Sequence, residues 1–379
     1  MQKIYLDNAA TSFPKPEAVA RAVYDYIVKE GVNINRSSYS KAYDAEVKVY
    51  ECRRLLCELF NGPGVKNVIF TGGITESLNV SIMGLLKKGD HVLVSSLEHN
   101  SVMRPVKNRV DYDVIPCDEN GDMCLDTVKS LIRPDTKAII ATHASNVCGT
   151  INPLYELGKI AKEHGLYFIV DSAQSGGVLE IDMEAMNIDV LCFAGHKGLL
   201  GPQGIGGFVI NNKAADIMEP FIYGGTGSVS DSLRMPEFLP DKYEAGTLNV
   251  PGIIGLAEGV RCVLNREIQE ILRRELKATA TLLEGFDDLQ KEGRLKIIGH
   301  NTIDNRVGVV SVTCNDISKV SYLLDDKYDI MTRVGLHCSP LAHKSLGTFP
   351  EGTLRFSVGV YTTMLEIERC IEAMKQLLK

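Results

Sequence analysis

No C-x-x-C occurs in the chain, and none of its ten cysteines shares zinc-finger spacing with a histidine, which argues against a structural metal. No apolar stretch approaches the length of a membrane span,. The opening MQKIYLDNAAT lacks the apolar core of a secretion signal, so a cytoplasmic protein is expected. Long runs of one charge are missing as well, and the formal net charge is only −7. That speaks against nucleic acid or a membrane surface as a partner. There is no internal repeat and no low-complexity segment. The glycine-rich GPQGIGG (201–207) is not a dinucleotide fingerprint: it lacks the G-x-G-x-x-G order and precedes a strand-like run instead of a helix,. It reads as close backbone packing.

What is present is a 379-residue chain, 45% hydrophobic, with mean hydropathy near zero. That is enough for two cores. A helix is expected over 17–29, a polar irregular loop over 31–44 and a helix over 46–60. Strand and helix patterns then alternate from residue 68 to about 210, which predicts an α/β fold with a mostly parallel sheet. Past residue 252 the pattern changes. One long helix is expected from 255 to about 290, then short strands, a helix from 317, and a last helix opened by the capping box Thr363-x-x-Glu366. Scattered singly through apolar runs, most cysteines should be small buried hydrophobes.

The chemistry concentrates between 170 and 197. One apolar run ends in Asp171, with Gln174 close behind. A second, 190–194, ends in Gly195-His196-Lys197. In an open parallel sheet, ligands sit at the carboxyl ends of the strands, so both groups are expected there. A desolvated lysine near a carboxylate suits Schiff-base chemistry. Pyridoxal phosphate needs such a lysine, and an acidic or basic partner for its pyridine nitrogen. Lys197 is therefore expected to carry that cofactor. The stretch 71–75, with Gly73 and Thr75 at a strand–helix junction, offers amides and a hydroxyl to a phosphate. His99 at a strand end could lie over a flat ring or be a loop histidine. Asn146 could face a ligand or close an Asx turn. Arg355 in an apolar run needs a partner, either a substrate carboxylate or an internal acid. Cys338 lies in RVGLHCSP beside a histidine and near an arginine, a setting that can activate a thiol, although a chance loop cysteine has the same pattern.

Nine segments in order carry a resemblance: YLDNAAT (5–11), TGGITESLN (71–79), LEHNS (97–101), SNVCGT (145–150), VDSAQ (170–174), GHK (195–197), YEAGTLN (243–249), RVGLHC (333–338) and the Arg355 strand. Together they resemble the class V aminotransferase superfamily and, within it, the group-II cysteine desulfurases and selenocysteine lyases. The resemblance implies fold type I of the pyridoxal-phosphate-dependent transferases. Its large domain (21–254) would hold a seven-stranded sheet, and a smaller α+β domain (255–379) would carry the cysteine loop, with residues 1–20 packing against it. By position, Lys197 would bind the cofactor covalently, Asp171 its ring nitrogen, Gln174 its ring hydroxyl and His99 its face. Gly73, Thr75 and His196 would hold the phosphate, with Thr247 reaching it in the other subunit of a homodimer. Asn146 and Arg355 would bind the substrate carboxylate, and Cys338 would accept sulfur from L-cysteine and pass it to an acceptor protein. The resemblance places no metal in the site. One position departs: Ala194 stands where that family commonly has Ser or Thr. L-selenocysteine as substrate, a C–S β-lyase, an aminotransferase and a non-catalytic binder are the alternatives.

Overall fold

A run of apolar strands whose residues are buried throughout, such as HVLVS and VLCFA, requires cover on both faces. The computed structural model, which describes residues 3–34 and 39–379, supplies it with helices. Numbered along the chain after a short β1 (Ile4–Tyr5), the main sheet contains β2 (Val68–Thr71), β3 (His91–Ser95), β4 (Asp111–Ile115), β5 (Thr136–Thr142), β6 (Tyr167–Asp171), β7 (Val190–Ala194) and β8 (Gly206–Ile210). Their spatial order is β2-β8-β7-β6-β5-β3-β4. All neighbouring pairs are parallel except those made by β8, which runs against both β2 and β7. Gly206 therefore faces Thr71 on one side and Ala194 on the other, and the carboxyl ends of β2 and β7 meet at one edge. A Cβ on Gly206 would lie 2.8 Å from both the Gly73 Cα and the Phe193 carbonyl oxygen. The GPQGIGG stretch is thus close backbone packing behind Lys197.

Downstream, β9 (Leu295–Ile298), β10 (Val309–Cys314), β12 (Arg333–Gly335) and β13 (Thr353–Ser357) form an antiparallel sheet in the order β12-β13-β10-β9. Between them, β11 (Ile330–Met331) pairs with β1. Helices Ile268–Lys291, Ile317–Tyr328 and Met364–Leu377 close this sheet over a core that includes Leu282, Phe286, Val312, Phe356 and Ile367. The capping box at Thr363 and Glu366 is made in both directions.

Two expectations are corrected. The helix foreseen from 46 begins at Ser40, inside the stretch read as loop. Its first buried positions are Ala42 and Ala45, too small to register as an apolar stripe. Of that stretch, residues 35–38 lie outside the described residues. The single helix foreseen from 255 is two, Val250–Arg266 and Ile268–Lys291, broken at Glu267 with φ 62° and ψ 129°. The reason is packing. Ile253, Leu256, Val260 and Val263 belong to the core under the main sheet, whereas Ala278, Leu282, Leu283 and Phe286 belong to the core of the second. One straight stripe cannot serve both.

Candidate active site

The edge where β5, β6 and β7 end collects the titratable groups. Asp171, the last residue of β6, is 2% exposed and accepts a hydrogen bond from the Ala173 amide at 2.8 Å. Burial raises its pKa, opposed by that amide and by Lys197. Lys197 lies just past β7. Burial pushes its amine down to about 8, against the pull of Asp171, with Arg355 and Arg333 adding to the fall. A lysine so placed is neutral often enough near pH 8 to act as a nucleophile.

His99 caps the helix Asn100–Arg109. Its Nδ1 accepts from the Ser101 amide (3.1 Å) and sits 2.9 Å from Ser101 Oγ, which is 2.8 Å from Thr75 Oγ1. Burial first, then the Lys197 charge, lowers its pKa to about 4, so the ring is neutral with its proton on Nε2. Thr75 lies in the first turn of the helix Ile74–Leu85, whose N-cap is Gly73. The Nδ1 of His196 is buried without a partner, while its carbonyl accepts from Thr11 Oγ1 at 3.0 Å and Lys15 Nζ at 2.7 Å. Gln174 Nε2 donates to the Ala9 carbonyl at 3.0 Å.

Arg355, in β13, has an internal acid as its partner. Nη2 donates to Asp7 Oδ1 at 2.7 Å and Nη1 to the Asn146 carbonyl at 3.0 Å. Arg333 approaches the other oxygen of Asp7 at 3.7 Å. The Asn146 side chain turns to the cysteine loop, donating to the His337 carbonyl and accepting from Ser339 Oγ, both at 2.8 Å. Cys338 is exposed, and its carbonyl accepts from the Asn100 amide at 2.8 Å, which brings it next to His99. Thr247 stands apart, exposed on the segment leading into Val250–Arg266. The structure thus gathers Lys197, Asp171, His99, Arg355, Asn146 and Cys338, and sets Thr75 against His99 through Ser101.

Sequence reasoning passed over Asp7, Ser101, Ser339 and Glu98. Glu98 is fully buried; its Oε1 accepts from the Thr142 amide at 2.6 Å and from Ser95 Oγ. Burial, reinforced by Asp171, pushes its pKa up to about 8. Asp7, Glu98 and Ser101 lie inside quoted segments, so their signal was position beside a functional residue. Ser339 had none beyond following Cys338.

A lysine and a carboxylate buried at the strand ends of a mostly parallel seven-stranded sheet define the class. The chain matches the family model for class-V aminotransferases over residues 4–370, and it belongs to that family. Among curated proteins it is 34% identical to one named probable cysteine desulfurase from Pyrococcus abyssi, covering 99% of this chain and 94% of that one. Among solved structures it is similar to the apo cysteine desulfurase of Thermococcus onnurineus NA1, with TM-score 0.92, 33% identity and coverage of 99% and 94%. The cysteine desulfurase CsdA of Escherichia coli gives TM-score 0.87 at 27% identity, with the same coverage.

Proposed function

We propose that this chain is a pyridoxal-phosphate-dependent cysteine desulfurase, which turns L-cysteine into L-alanine and keeps the sulfur as a persulfide on Cys338. The observation that carries the reading is the placement of Cys338. It alone among the ten cysteines is exposed, and its backbone is bonded to the residue beside His99.

The residues fit the cofactor. A buried amine, a buried carboxylate that interacts with it and an unpartnered His196 Nδ1 are groups awaiting a polar ligand. The hydroxyls of Thr75 and Ser101, near a helix amino terminus, suit an anion. Lys197 would hold the aldehyde carbon, Asp171 the ring nitrogen, Gln174 the ring hydroxyl and His99 the ring face. Gly73, Thr75 and His196 would hold the phosphate, with Thr247 reaching it in a second copy of the chain. Bound, the cofactor supplies an electron sink for charge left on the substrate's α-carbon.

The protein's own groups do the rest. Arg355, whose Nε has no partner beside its Asp7 pair, and the second N–H of Asn146 Nδ2 would orient the substrate carboxylate. The Lys197 amine, once free, takes the proton from Cα. The Cys338 thiolate attacks the substrate sulfur: an S–S bond forms, the Cβ–S bond breaks with its electron pair left on carbon, and protonation there completes alanine. The persulfide then passes to an acceptor protein. L-selenocysteine can enter by the same contacts.

We further propose a cytoplasmic homodimer. Free thiols throughout suit a reducing compartment. Tyr24, Ile27, Val28, Tyr43, Val47 and Tyr50 stand exposed on consecutive helical segments that pack on Val250–Arg266, an apolar surface of the kind a second copy covers. We keep the three-part division of the chain, with its second boundary moved to the helix break at Glu267.

Cys338→Ser should abolish alanine formation from L-cysteine while leaving cofactor absorbance intact. Undiminished sulfide release in that variant would reassign the chain to direct β-lysis, and transamination with pyruvate would make it an aminotransferase. Borohydride reduction and peptide mapping should find the pyridoxyl group on Lys197.

A further inference from the structure

The loop between β12 and the helix Pro340–Ser345 carries two consecutive residues in the left-handed region, His337 at φ 47° and Cys338 at φ 58°. An L-residue adopts either conformation only at a cost, because its Cβ crowds the following carbonyl. Such backbone persists only where its surroundings over-determine it. Here they do. Residues 337, 338 and 339 are each bonded to a residue far away in sequence, Asn146 or Asn100. Asn146 Nδ2 holds the His337 carbonyl, the Asn100 amide holds the Cys338 carbonyl, and Ser339 Oγ donates to Asn146 Oδ1, all at 2.8 Å.

The seat continues beneath the loop. Ser311 Oγ donates to the Val147 carbonyl at 2.6 Å, and Thr353 Oγ1 donates to Ser311 Oγ at 3.2 Å. His337 Nε2, 2.9 Å from Thr353 Oγ1, must then be the donor. Its ring is a neutral pin, kept so by burial, which lowers its pKa to about 2, and by the nearby Arg355. The other face of the arrangement touches the substrate arginine, since Arg355 Nη1 bonds the Asn146 carbonyl. Within this network Ser339, fully buried, has one evident task. By donating to Oδ1 it decides which way round the Asn146 amide sits, and so which end of it meets the His337 carbonyl.

We propose that this hydrogen-bonded seat fixes the Cys338 thiol for sulfur transfer, and that Ser339, through Asn146, is a positioning residue for that step. The proposal rests on the desulfurase reading for its kinetic consequence, though not for the seat itself. Removing the hydroxyl takes from the Asn146 amide oxygen its donor and leaves the amide free to turn over,. The loop then samples other positions, and the thiol is less often where the substrate sulfur lies.

The test is Ser339→Ala in the holoenzyme. Its kcat for alanine formation should fall about tenfold with cofactor absorbance unchanged, and iodoacetamide should alkylate Cys338 severalfold faster. Ser339→Thr, which keeps the hydroxyl, should restore both. Wild-type kcat or a wild-type alkylation rate in Ser339→Ala overturns the proposal. Should that variant fold poorly, hydrogen exchange at the Asn100 amide of the unsubstituted holoenzyme decides: slow exchange supports the seat, and exchange as fast as in the exposed stretch 301–304 removes it. Alkylation and exchange need no turnover. A protein that makes no alanine therefore defeats the desulfurase reading and leaves the seat to be judged separately.

Discussion

At residue 197 the proposed function asks a single amine to be both a base and a nucleophile, and burial of that amine suits it to both. With a pKa brought from 10.5 to about 8, the neutral fraction grows as pH rises through 8. Capture of pyridoxal phosphate by the apoprotein should accelerate with a midpoint there. In Asp171→Asn the midpoint should move lower, because the carboxylate holds the lysine pKa up. A midpoint near 10 in stopped-flow absorbance would contradict this. Buried acids act on stability in the opposite sense. Glu275 is raised from 4.5 to about 8 by burial alone, and Glu98 likewise mainly by burial. The folded chain then keeps protons that the unfolded chain releases between those values, so stability is fully present below pH 4.5 and is lost as pH rises through 8. Glu275→Gln should flatten that decline, seen as a smaller drop in unfolding midpoint between pH 5 and pH 8 than in the unsubstituted protein. Lys197 and Asp171 were legible because each ends an apolar run. The Asp7–Arg355 pair was not, since its members lie 348 positions apart and Arg355 offered a substrate or an internal acid with equal logic.

Among elements, the helix break at Glu267 is the clearest case of tertiary demand overriding local pattern. An uninterrupted amphipathic stretch favours one helix, yet two cores claim its two halves. Glutamate at positive φ with ψ near 129° adopts a conformation suited to glycine,. Glu267→Gly should therefore stabilise the fold by about 1 kcal/mol, measured by denaturant titration; a loss of stability would show that the side chain contributes more than its backbone costs. Elsewhere a buried pair ties the helix Ser40–Leu59 to the segment that bears Thr247. Arg53 Nη1 meets Glu244 Oε1 at 2.8 Å, the same oxygen accepts from the Phe70 amide at 2.7 Å, and the guanidinium lies 4.6 Å from the Phe70 ring centroid. Sequence patterns identified both elements but could not pair them, because a charge on a helix face usually points to water.

For the molecule as a whole, the exposed tyrosines and aliphatics of the first two helical regions carry a prediction. Tyr43→Glu combined with Tyr50→Glu should convert the proposed dimer to a monomer by sedimentation and weaken cofactor binding, since the role proposed for Thr247 needs a partner site to complete. A dimer that survives both charges would place the interface elsewhere. The fold class and the family followed from the order of segments, because strand ends, glycine turns and caps are decided within a few residues of themselves. Whether those ends would meet was a different matter. The antiparallel β8, the divided helix, the Asp7 counter-ion of Arg355 and the clasp of Asn146 on the Cys338 loop all join positions far apart in the chain. They depend on distances that only the packed cores establish, so the sequence alone determined which chemical groups were available and the tertiary structure decided which of them touch.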